Sequence, residues 1–335
     1  MLPTLDSDVL RIIIQHAASS ALDLSEPFIS WRWCQRARHL RHLALVNSQW
    51  RSLAQLELDR YLVVTASNYH LLLHAAQRGA LTKRAKKVVT LRSGDSSDPR
   101  TLDSILEQCA EMQELESYGG IWSLNSLAGA KHLRSLTLHD VVLYGGHDDL
   151  VLPCRLSSVS LLSVRPFGQS DWKTLRSAGE GSLRQLCIGE LPLAQVDCFF
   201  DTLLRWFQTV ETLDLKSTNS FRNAMPLLNR CGKLVQLRLN AADLPRALPV
   251  LTRSLLSLEL LMESSGSNRD ERLRFLLATL GKFPLDNLER LEIKAGPVDE
   301  RYFRSSLFHE VVEVANARGI EVVTNRAQGV LPGRW

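Results

Sequence analysis

The stretch Leu133-Arg134-Ser135-Leu136-Thr137-Leu138 has leucine at its first, fourth and sixth positions. The same spacing recurs along most of the chain, with Val, Ile or Met in place of some leucines. The further copies are Leu156-Val159-Leu161, Leu183-Leu186-Ile188, Val210-Leu213-Leu215, Leu234-Leu237-Leu239, Leu255-Leu258-Leu260 and Leu288-Leu291-Ile293, with a weaker copy at Met112-Leu115-Ser117 and an earlier strand at Val89–Leu91. Successive copies from Met112 begin 21, 23, 27, 27, 24, 21 and 33 residues apart. Units of this size cannot bury their own apolar face, so we expect neighbouring copies to stack.

The period and the pattern resemble those of leucine-rich repeats, in which a short strand is followed by a helix or loop. Segments with helical spacing lie between the strands at 196–207, 270–283 and 301–318, and Gly319 follows the last of them in the position of a C-cap. A final strand is predicted at 320–323. We therefore predict an irregular α/β solenoid with strands on the concave side and helices on the convex side. A doubly wound sheet is the alternative, but it would not keep one motif in register through seven copies.

The composition excludes several classes of protein. The 335 residues are 45% hydrophobic and 23% charged, with a net charge of +4, which is too small by itself to indicate nucleic-acid binding. The N-terminus does not resemble a signal peptide, and no apolar run is long enough to span a membrane. The six cysteines form no CxxC pair and the chain has no N-x-S/T sequence, so we expect a cytoplasmic or nuclear protein with buried free thiols.

Residues 1–58 do not carry the repeat, and two apolar stripes predict two short helices there. The first stripe is Leu5, Val9, Ile12 and Ile13, on a helix opened by Asp6 or Ser7, and the second is Leu43, Val46, Trp50 and Leu53. A Leu-Pro pair followed by an apolar helix, and later an apolar-Val-x-x-x-Trp helix, resembles an F-box. The matching residues are Leu2, Pro3, Leu5, Val9, Ile13, Leu43, Val46 and Trp50. With the repeats behind it, the chain resembles fungal F-box proteins with C-terminal leucine-rich repeats.

The F-box resemblance implies a docking role rather than catalysis. F-box proteins bind a Skp-type adaptor, which connects them to a cullin–RING ubiquitin ligase, and the repeats hold the protein substrate. The eight matching residues would then contact the adaptor. The competing interpretation is a non-enzymatic leucine-rich-repeat scaffold, unrelated to ubiquitination, in which the N-terminal helices pack onto the first repeat.

The resemblance also sets the expected domain limits. We predict an F-box-like helical domain at 1–60, a leucine-rich-repeat solenoid at 61–324 and a flexible tail at 325–335. One departure from the family is the long segment 17–39, which we predict to be an insertion in a surface loop, since such insertions cost little stability.

Residues that alternate with the apolar positions of the strands are expected to face the concave side. Those that we predict to contact a substrate are His139, Asp214, Lys216, Arg238, Asn240, Glu259, Glu292 and Lys294. Cross-strand ion pairs that merely solvate the sheet are the more ordinary interpretation of these charges.

No motif in the sequence indicates a catalytic, metal or cofactor site, so we predict a non-catalytic protein without cofactors. His70 and His74 have the spacing of metal ligands on a helix but lack the accompanying Glu. Two basic runs, one at 32–41 and one at 83–87, are interpreted as exposed faces or as contacts for an acidic protein partner rather than for nucleic acid.

Overall fold

The computed structural model describes residues 6–20, 29–79, 85–91, 100–166, 168–190, 196–251, 253–262, 269–282, 287–295 and 303–325. The chain divides into two compact units, residues 1–155 and 156–335, and each is described by itself below. The predicted limits of the helical domain, the solenoid and the tail remain a prediction. Of the tail, only Asn325 is described, as the last residue of a strand.

The first unit begins with three helices and continues with strands separated by helices or loops. Its elements are α1 (Ser7–Ser20), α2 (Ile29–Leu43), α3 (Ser48–Asp59), β1 (Tyr61–Thr65), α4 (Tyr69–Gln77), β2 (Lys87–Leu91), α5 (Arg100–Glu107), β3 (Glu114–Tyr118), β4 (Ile121–Ser123), β5 (Ser135–His139) and β6 (Val142–Tyr144). Strands β1, β2, β3 and β5 pair in parallel and in chain order. Leu62, Val88, Leu115 and Leu136 stand at one level of this row and are buried.

Short second strands follow β3 and β5 because the chain bends sharply after each of them. Gly119 and Gly120 have φ angles of 75° and 92°, in the region that glycine enters without strain. Asp140, with φ of 54°, makes the equivalent bend after β5. The bends direct the chain into β4 and β6, which pair in parallel.

The helical segment, which we define as α1–α3 (residues 7–59), differs from the sequence prediction in two ways. Residues 17–39, predicted to be an insertion in a surface loop, are in part helical, because 17–20 complete α1 and 29–39 belong to α2. The predicted single helix through Leu43 and Trp50 is interrupted by a turn at 44–46. The cause is Asn47, whose side-chain oxygen accepts a hydrogen bond from the Trp50 N–H at 3.0 Å and starts α3 as an N-cap.

The second unit has seven strands of one parallel row, with helices or helical turns in most of the connections. Its elements are β7 (Ser158–Leu162), β8 (Arg165–Pro166), α6 (Gln169–Gly179), β9 (Gln185–Ile188), α7 (Val196–Trp206), β10 (Thr212–Leu215), α8 (Thr218–Ala224), β11 (Gln236–Asn240), α9 (Leu244–Ala247), β12 (Ser257–Met262), α10 (Arg269–Lys282), β13 (Arg290–Ala295), α11 (Ser306–Ala317) and β14 (Glu321–Asn325). Strands β7, β9, β10, β11, β12, β13 and β14 pair with their neighbours in this order.

The repeat motif fixes the register of this row. The fourth position of each copy stands opposite the fourth position of the next: Val159, Leu186, Leu213, Leu237, Leu258 and Leu291, with Val322 of β14 at the same level. All of these except Val322 are fully or almost fully buried. The predicted repeat strands are therefore confirmed, and each unit is an open α/β row of parallel strands of the leucine-rich-repeat kind.

The ends of the predicted helices need small corrections. Helix α10, predicted over 270–283, begins at Arg269 and ends at Lys282. Helix α11 begins later than predicted, at Ser306, because the Ser305 hydroxyl accepts a hydrogen bond from the Phe308 N–H at 3.2 Å. Gly319, with φ of 76°, ends that turn as expected.

Candidate functional site

The helical segment has its own small apolar core. Its buried members are Leu10, Ile14, Ala18, Leu40 and Ala54, and the partly buried Leu43, Ala44, Trp50, Leu53 and Leu58 pack against them. The spacing of the α1 members, i, i+4 and i+8, gives the helix one buried side. The other apolar residues of α1 are consequently left toward solvent.

A buried ion pair connects α2, α3 and the start of β1. Arg36 Nη2 donates to Glu57 Oε1 at 3.1 Å and to the Glu57 carbonyl at 3.0 Å, and Arg60 Nη1 donates to Glu57 Oε2 at 3.0 Å. The Arg36 guanidinium also lies 3.7 Å from the centre of the Tyr61 ring. Burial lowers the pKa of Arg36, against the opposing effects of Tyr61 and Glu57. Arg36 is therefore a structural residue. The sequence had suggested instead that it belongs to an exposed basic run.

Several apolar side chains of the helical segment remain exposed. They are Val9, Ile12 and Ile13 on α1, Leu45 and Val46 in the turn after α2, and Leu56 on α3. Among the residues predicted to bind an adaptor, Val9, Ile13 and Val46 are 46%, 40% and 59% exposed. Leu43 and Trp50 pack against the helical core and are half-buried. Leu2, Pro3 and Leu5 lie outside the described residues.

The outward strand face of the first unit carries a compact polar cluster. Lys87 Nζ contacts Glu114 Oε2 at 3.1 Å and also Glu116 Oε1. The Tyr118 hydroxyl donates to Glu116 Oε2 at 3.3 Å, and its ring meets that of His139 edge-on at 5.9 Å. Burial lowers the pKa of Lys87, but the two carboxylates outweigh it and the net pKa is raised. The predicted contact residue His139 is thus half-buried within an existing cluster.

The outward face of the second unit carries most of the predicted substrate contacts, and these charges pair with one another. Asp214 Oδ2 lies 2.7 Å from Lys216 Nζ and 3.4 Å from Arg238 Nη1. Arg238 bridges two strands, since its Nε lies 2.8 Å from Glu259 Oε1 on β12. The charged side chains that were predicted to contact a substrate therefore form ion pairs with one another on this face.

The ion-pair network continues to β13. Lys294 Nζ lies 2.7 Å from Glu259 Oε1 and 3.2 Å from Glu292 Oε1, and Arg290 Nη2 lies 3.5 Å from Glu292 Oε2. Glu259 contacts two cations and is only 5% exposed, so it contributes little surface to this face; its contact with a substrate stays a prediction. Asn240 is also buried, because its side-chain oxygen accepts a hydrogen bond from the Ala242 N–H at 3.0 Å.

A row of uncharged side chains crosses the same face beside the network. The row stands in register on five neighbouring strands and consists of Ser158, Gln185, Thr212, Gln236 and Ser257. All five are exposed or half-buried, and none has a side-chain hydrogen bond within the part of the chain that the structure describes. Their alternation with the buried leucines predicts that they face outward. The residues predicted to contact a substrate were nevertheless mostly their charged neighbours.

The four thiols that the structure describes have raised pKa values, which makes them poor nucleophiles. Burial raises the pKa of Cys109 and of Cys231 to about 12, and that of Cys154 to about 11. The half-buried Cys187 also has a pKa of about 11, through burial and the adjacent Asp214 carboxylate. The side chains of Cys34 and Cys198 lie outside the described part of the chain.

Among the residues that the structure describes, no group of three or more His, Cys, Asp or Glu side chains is placed to hold a metal ion, and His70 and His74 are both exposed on α4. No helix in the described ranges combines the length and the apolar composition needed to cross a membrane.

Comparison with known proteins gives only distant structural similarities. No protein-family model and no curated protein matches the chain. The chain in the crystal structure of a TLR13–ssRNA13 complex is similar over 78% of this chain and 37% of its own length, with 13% identity and a TM-score of 0.34. An internalin (inlF) from Listeria monocytogenes strain 4b F2365 is similar over 88% of this chain and 95% of its own, with 12% identity and a TM-score of 0.33.

A third similarity is to a sugar phosphate isomerase/epimerase from Parabacteroides distasonis ATCC 8503. It covers 82% of this chain and 89% of that protein, with 12% identity and a TM-score of 0.28. The chain spans little more than a third of the TLR13 chain. All three similarities are weak, and it is the strand order and register of the chain that define its fold.

Proposed function

We propose that the protein is the substrate-recognition subunit of a Skp–cullin–F-box ubiquitin ligase. In this proposal the helical segment docks on a Skp-type adaptor, and the outward strand faces bind a protein substrate. The receptor contributes no catalytic group. It raises the effective concentration of the substrate near the ubiquitin-charged enzyme.

The observation that supports the docking role is the exposure of apolar side chains on the helical segment. Of the ten large apolar residues that are exposed in the described chain, six belong to this segment: Val9, Ile12, Ile13, Leu45, Val46 and Leu56. The segment is only a small part of the described residues, so the exposure is concentrated there. Clustered exposed apolar residues on a protein surface are typical of an interaction site.

The test is binding of the full-length protein to a purified fungal Skp-type adaptor, measured by isothermal titration calorimetry. The variant V9E/V46E places two charges on exposed positions, so it leaves the helical core intact. Burying a charge in an apolar interface opposes association, and we expect the affinity to fall by about 100-fold or more. The matched control, L71E, changes an apolar residue that is 74% exposed on α4 and should bind as the wild type does.

Trp50 is a less direct test, because it also packs against the core of the helical segment. We expect Trp50→Ala to cost ~2 kcal/mol or more in adaptor affinity. The helical content of the variant, measured by circular dichroism, must be compared with that of the wild type to show that the helical segment is still folded. Failure of the wild type to bind the adaptor, or equal binding by V9E/V46E, would contradict the proposed docking role.

For the substrate, the uncharged row on the second unit is the better candidate surface. Its side chains have free hydrogen-bonding capacity, whereas the neighbouring charges are paired with one another. A ligand that displaced those ion pairs would have to replace each lost contact. We therefore propose that hydroxyl and amide groups contact the substrate and that the ion-pair network holds the strands beneath it.

A scaffold without any link to ubiquitination is the second candidate function. It is favoured by contacts where the helical segment joins the first strands: the carbonyl of Arg60, the residue after α3, accepts hydrogen bonds from the Lys86 and Lys87 N–H groups at 2.8 and 3.0 Å. The Arg36–Tyr61 contact has the same effect. The adaptor-binding experiment separates the two functions, because a scaffold that merely caps its strands does not bind the adaptor.

A further inference from the structure

The outward side of α2 is basic and carries no acidic residue. Arg38, His39, Arg41 and His42 are all exposed, whereas Leu40 between them is buried. The whole helix, Ile29–Leu43, contains no Asp or Glu. Residues three or four apart are neighbours on a helix surface, so these side chains form one basic patch.

The basic patch is continuous with exposed apolar residues. The Leu45 N–H bonds to the His42 carbonyl at 3.1 Å, and the Val46 N–H bonds to the Leu43 carbonyl at 3.2 Å, so the chain continues helically for one tight turn. Leu45 therefore follows Arg41 and His42 by four and three residues, and Val46 follows His42 by four. The apolar side chains extend the same side of the helix beyond its last basic residue.

A third arginine lies at this turn. Arg51 of α3 is exposed, and its Nε donates a hydrogen bond to the Ala44 carbonyl at 3.4 Å. This hydrogen bond places the Arg51 side chain beside the turn that contains Leu45 and Val46. Within the described ranges, no carboxylate forms an ion pair with Arg38, Arg41 or Arg51. The buried Arg36 on the same helix, by contrast, is paired with Glu57.

We propose that the partner of the helical segment is a protein whose apolar docking groove has an acidic rim, and that Arg38, Arg41 and Arg51 pair with that rim while Leu45 and Val46 enter the groove. This inference rests on the proposed docking function, because it describes the partner of the same surface. It adds an electrostatic component that the apolar residues alone do not supply.

The physical basis is the charge of the three arginines, which no carboxylate in the described part of the chain compensates. Like charges at helical neighbour positions repel one another by a few tenths of a kcal/mol per pair in the free protein. Carboxylates of a partner relieve that repulsion, and complementary charges at the rim of an apolar contact accelerate association. The contribution is accessible to salt because the arginines are exposed.

The test measures adaptor binding by the full-length protein in about 50 mM and about 500 mM NaCl, a range over which the screening length falls severalfold. The variant R38E/R41E reverses two exposed charges without touching the helical core. The matched control, R230E/R246E, reverses two exposed arginines of the second unit. A labelled RNA oligonucleotide is titrated in parallel as a polyanion that offers no apolar groove.

We expect the wild type and the control to bind the adaptor about tenfold more weakly in high salt, and R38E/R41E to bind about tenfold more weakly in low salt with little remaining salt dependence. Binding by the wild type that neither salt nor R38E/R41E weakens would overturn this inference alone. Tight RNA binding that R38E/R41E abolishes, with adaptor binding unchanged, would overturn it in favour of nucleic acid. No adaptor binding by the wild type would overturn both this inference and the proposed function.

Discussion

Replacement of Arg36 by methionine should loosen the helical segment and leave the repeats folded. Methionine retains much of the aliphatic stem but removes the guanidinium, which is 3% exposed. Glu57, at 7% exposure, then loses its partner from α2 and keeps only Arg60, whose side chain is 40% exposed. The Glu57 carbonyl also loses the donor that lies 3.0 Å away.

The size of the effect follows from these contacts. Breaking one partner of a buried ion pair costs ~3–5 kcal/mol, and the remaining Arg60 contact places this case at the lower limit. Loss of the guanidinium from the Tyr61 ring adds ~0.5–1 kcal/mol. We expect about 3–4 kcal/mol in all, or a rise of two to three decades in the equilibrium constant for local opening.

Hydrogen exchange measured by mass spectrometry is the appropriate assay, because it reports the opening of α2, α3 and β1 separately from the rest of the chain. The exposed Arg38→Met serves as the control on the same helix and should not change exchange. The double variant R36M/E57L replaces both charges by apolar groups and should recover most of the lost protection.

Two results would refute this reasoning. One is exchange in α2 and α3 that stays within about threefold of the wild type in Arg36→Met, since an intact buried pair is worth far more than that. The other is a double variant that is less protected than the single one, which would show that an uncompensated Glu57 is not the cause.

Three further predictions concern the second unit and the buried thiols. Glu259→Gln leaves two half-buried cations without their shared carboxylate, so we expect a loss of ~1–3 kcal/mol in urea unfolding, and an unchanged midpoint would contradict the network. In Gly179→Ala the new Cβ would lie 2.6 Å from Trp206 Nε1, so we expect a loss of ~1–3 kcal/mol and an altered near-ultraviolet circular dichroism spectrum, whereas an unaltered spectrum would mean that the indole is not confined. Burial raises the thiol pKa of Cys109 and Cys231 from 9.0 to about 12, so these thiols ionise at lower pH in the unfolded chain than in the folded one. The free energy of unfolding should therefore be constant below pH 9 and decline as the pH rises above it, less steeply in C109A/C231A. Equal slopes of unfolding free energy against pH in the two proteins would disprove the linkage.

The repeats were predictable because their signal is redundant. Each copy places apolar residues at the same three positions, and the register of one strand on the next follows from that identity, as Leu213 opposite Leu237 illustrates. Strand β1 was missed, although Leu62-Val63-Val64 is rich in β-branched residues, because a single strand carries no period. The tight turn at 44–46 was missed for a different reason: one Asn side chain decides it against a continuous apolar stripe.

Outward-facing residues were predicted from alternation, and alternation does not report how side chains pair. Asp214 and Arg238 stand opposite each other on β10 and β11, yet their contact depends on rotamers that the sequence pattern leaves open. The burial of Glu259 results from two cations that reach it from neighbouring strands on either side. Exposure of Val9 was easier to anticipate, because a short helix such as α1 buries only one side.

Because the strands of the second unit stand in register, the number of repeats sets the length of its outward face. Neighbouring strands are about 4.8 Å apart, so seven strands span roughly 29 Å, and residues that touch across the face are separated by a whole repeat in the sequence. Duplication or loss of one repeat would lengthen or shorten the face by one strand and leave the remaining strands in register. Evolution can therefore change the length of ligand that the face accommodates without changing the side chains on each strand.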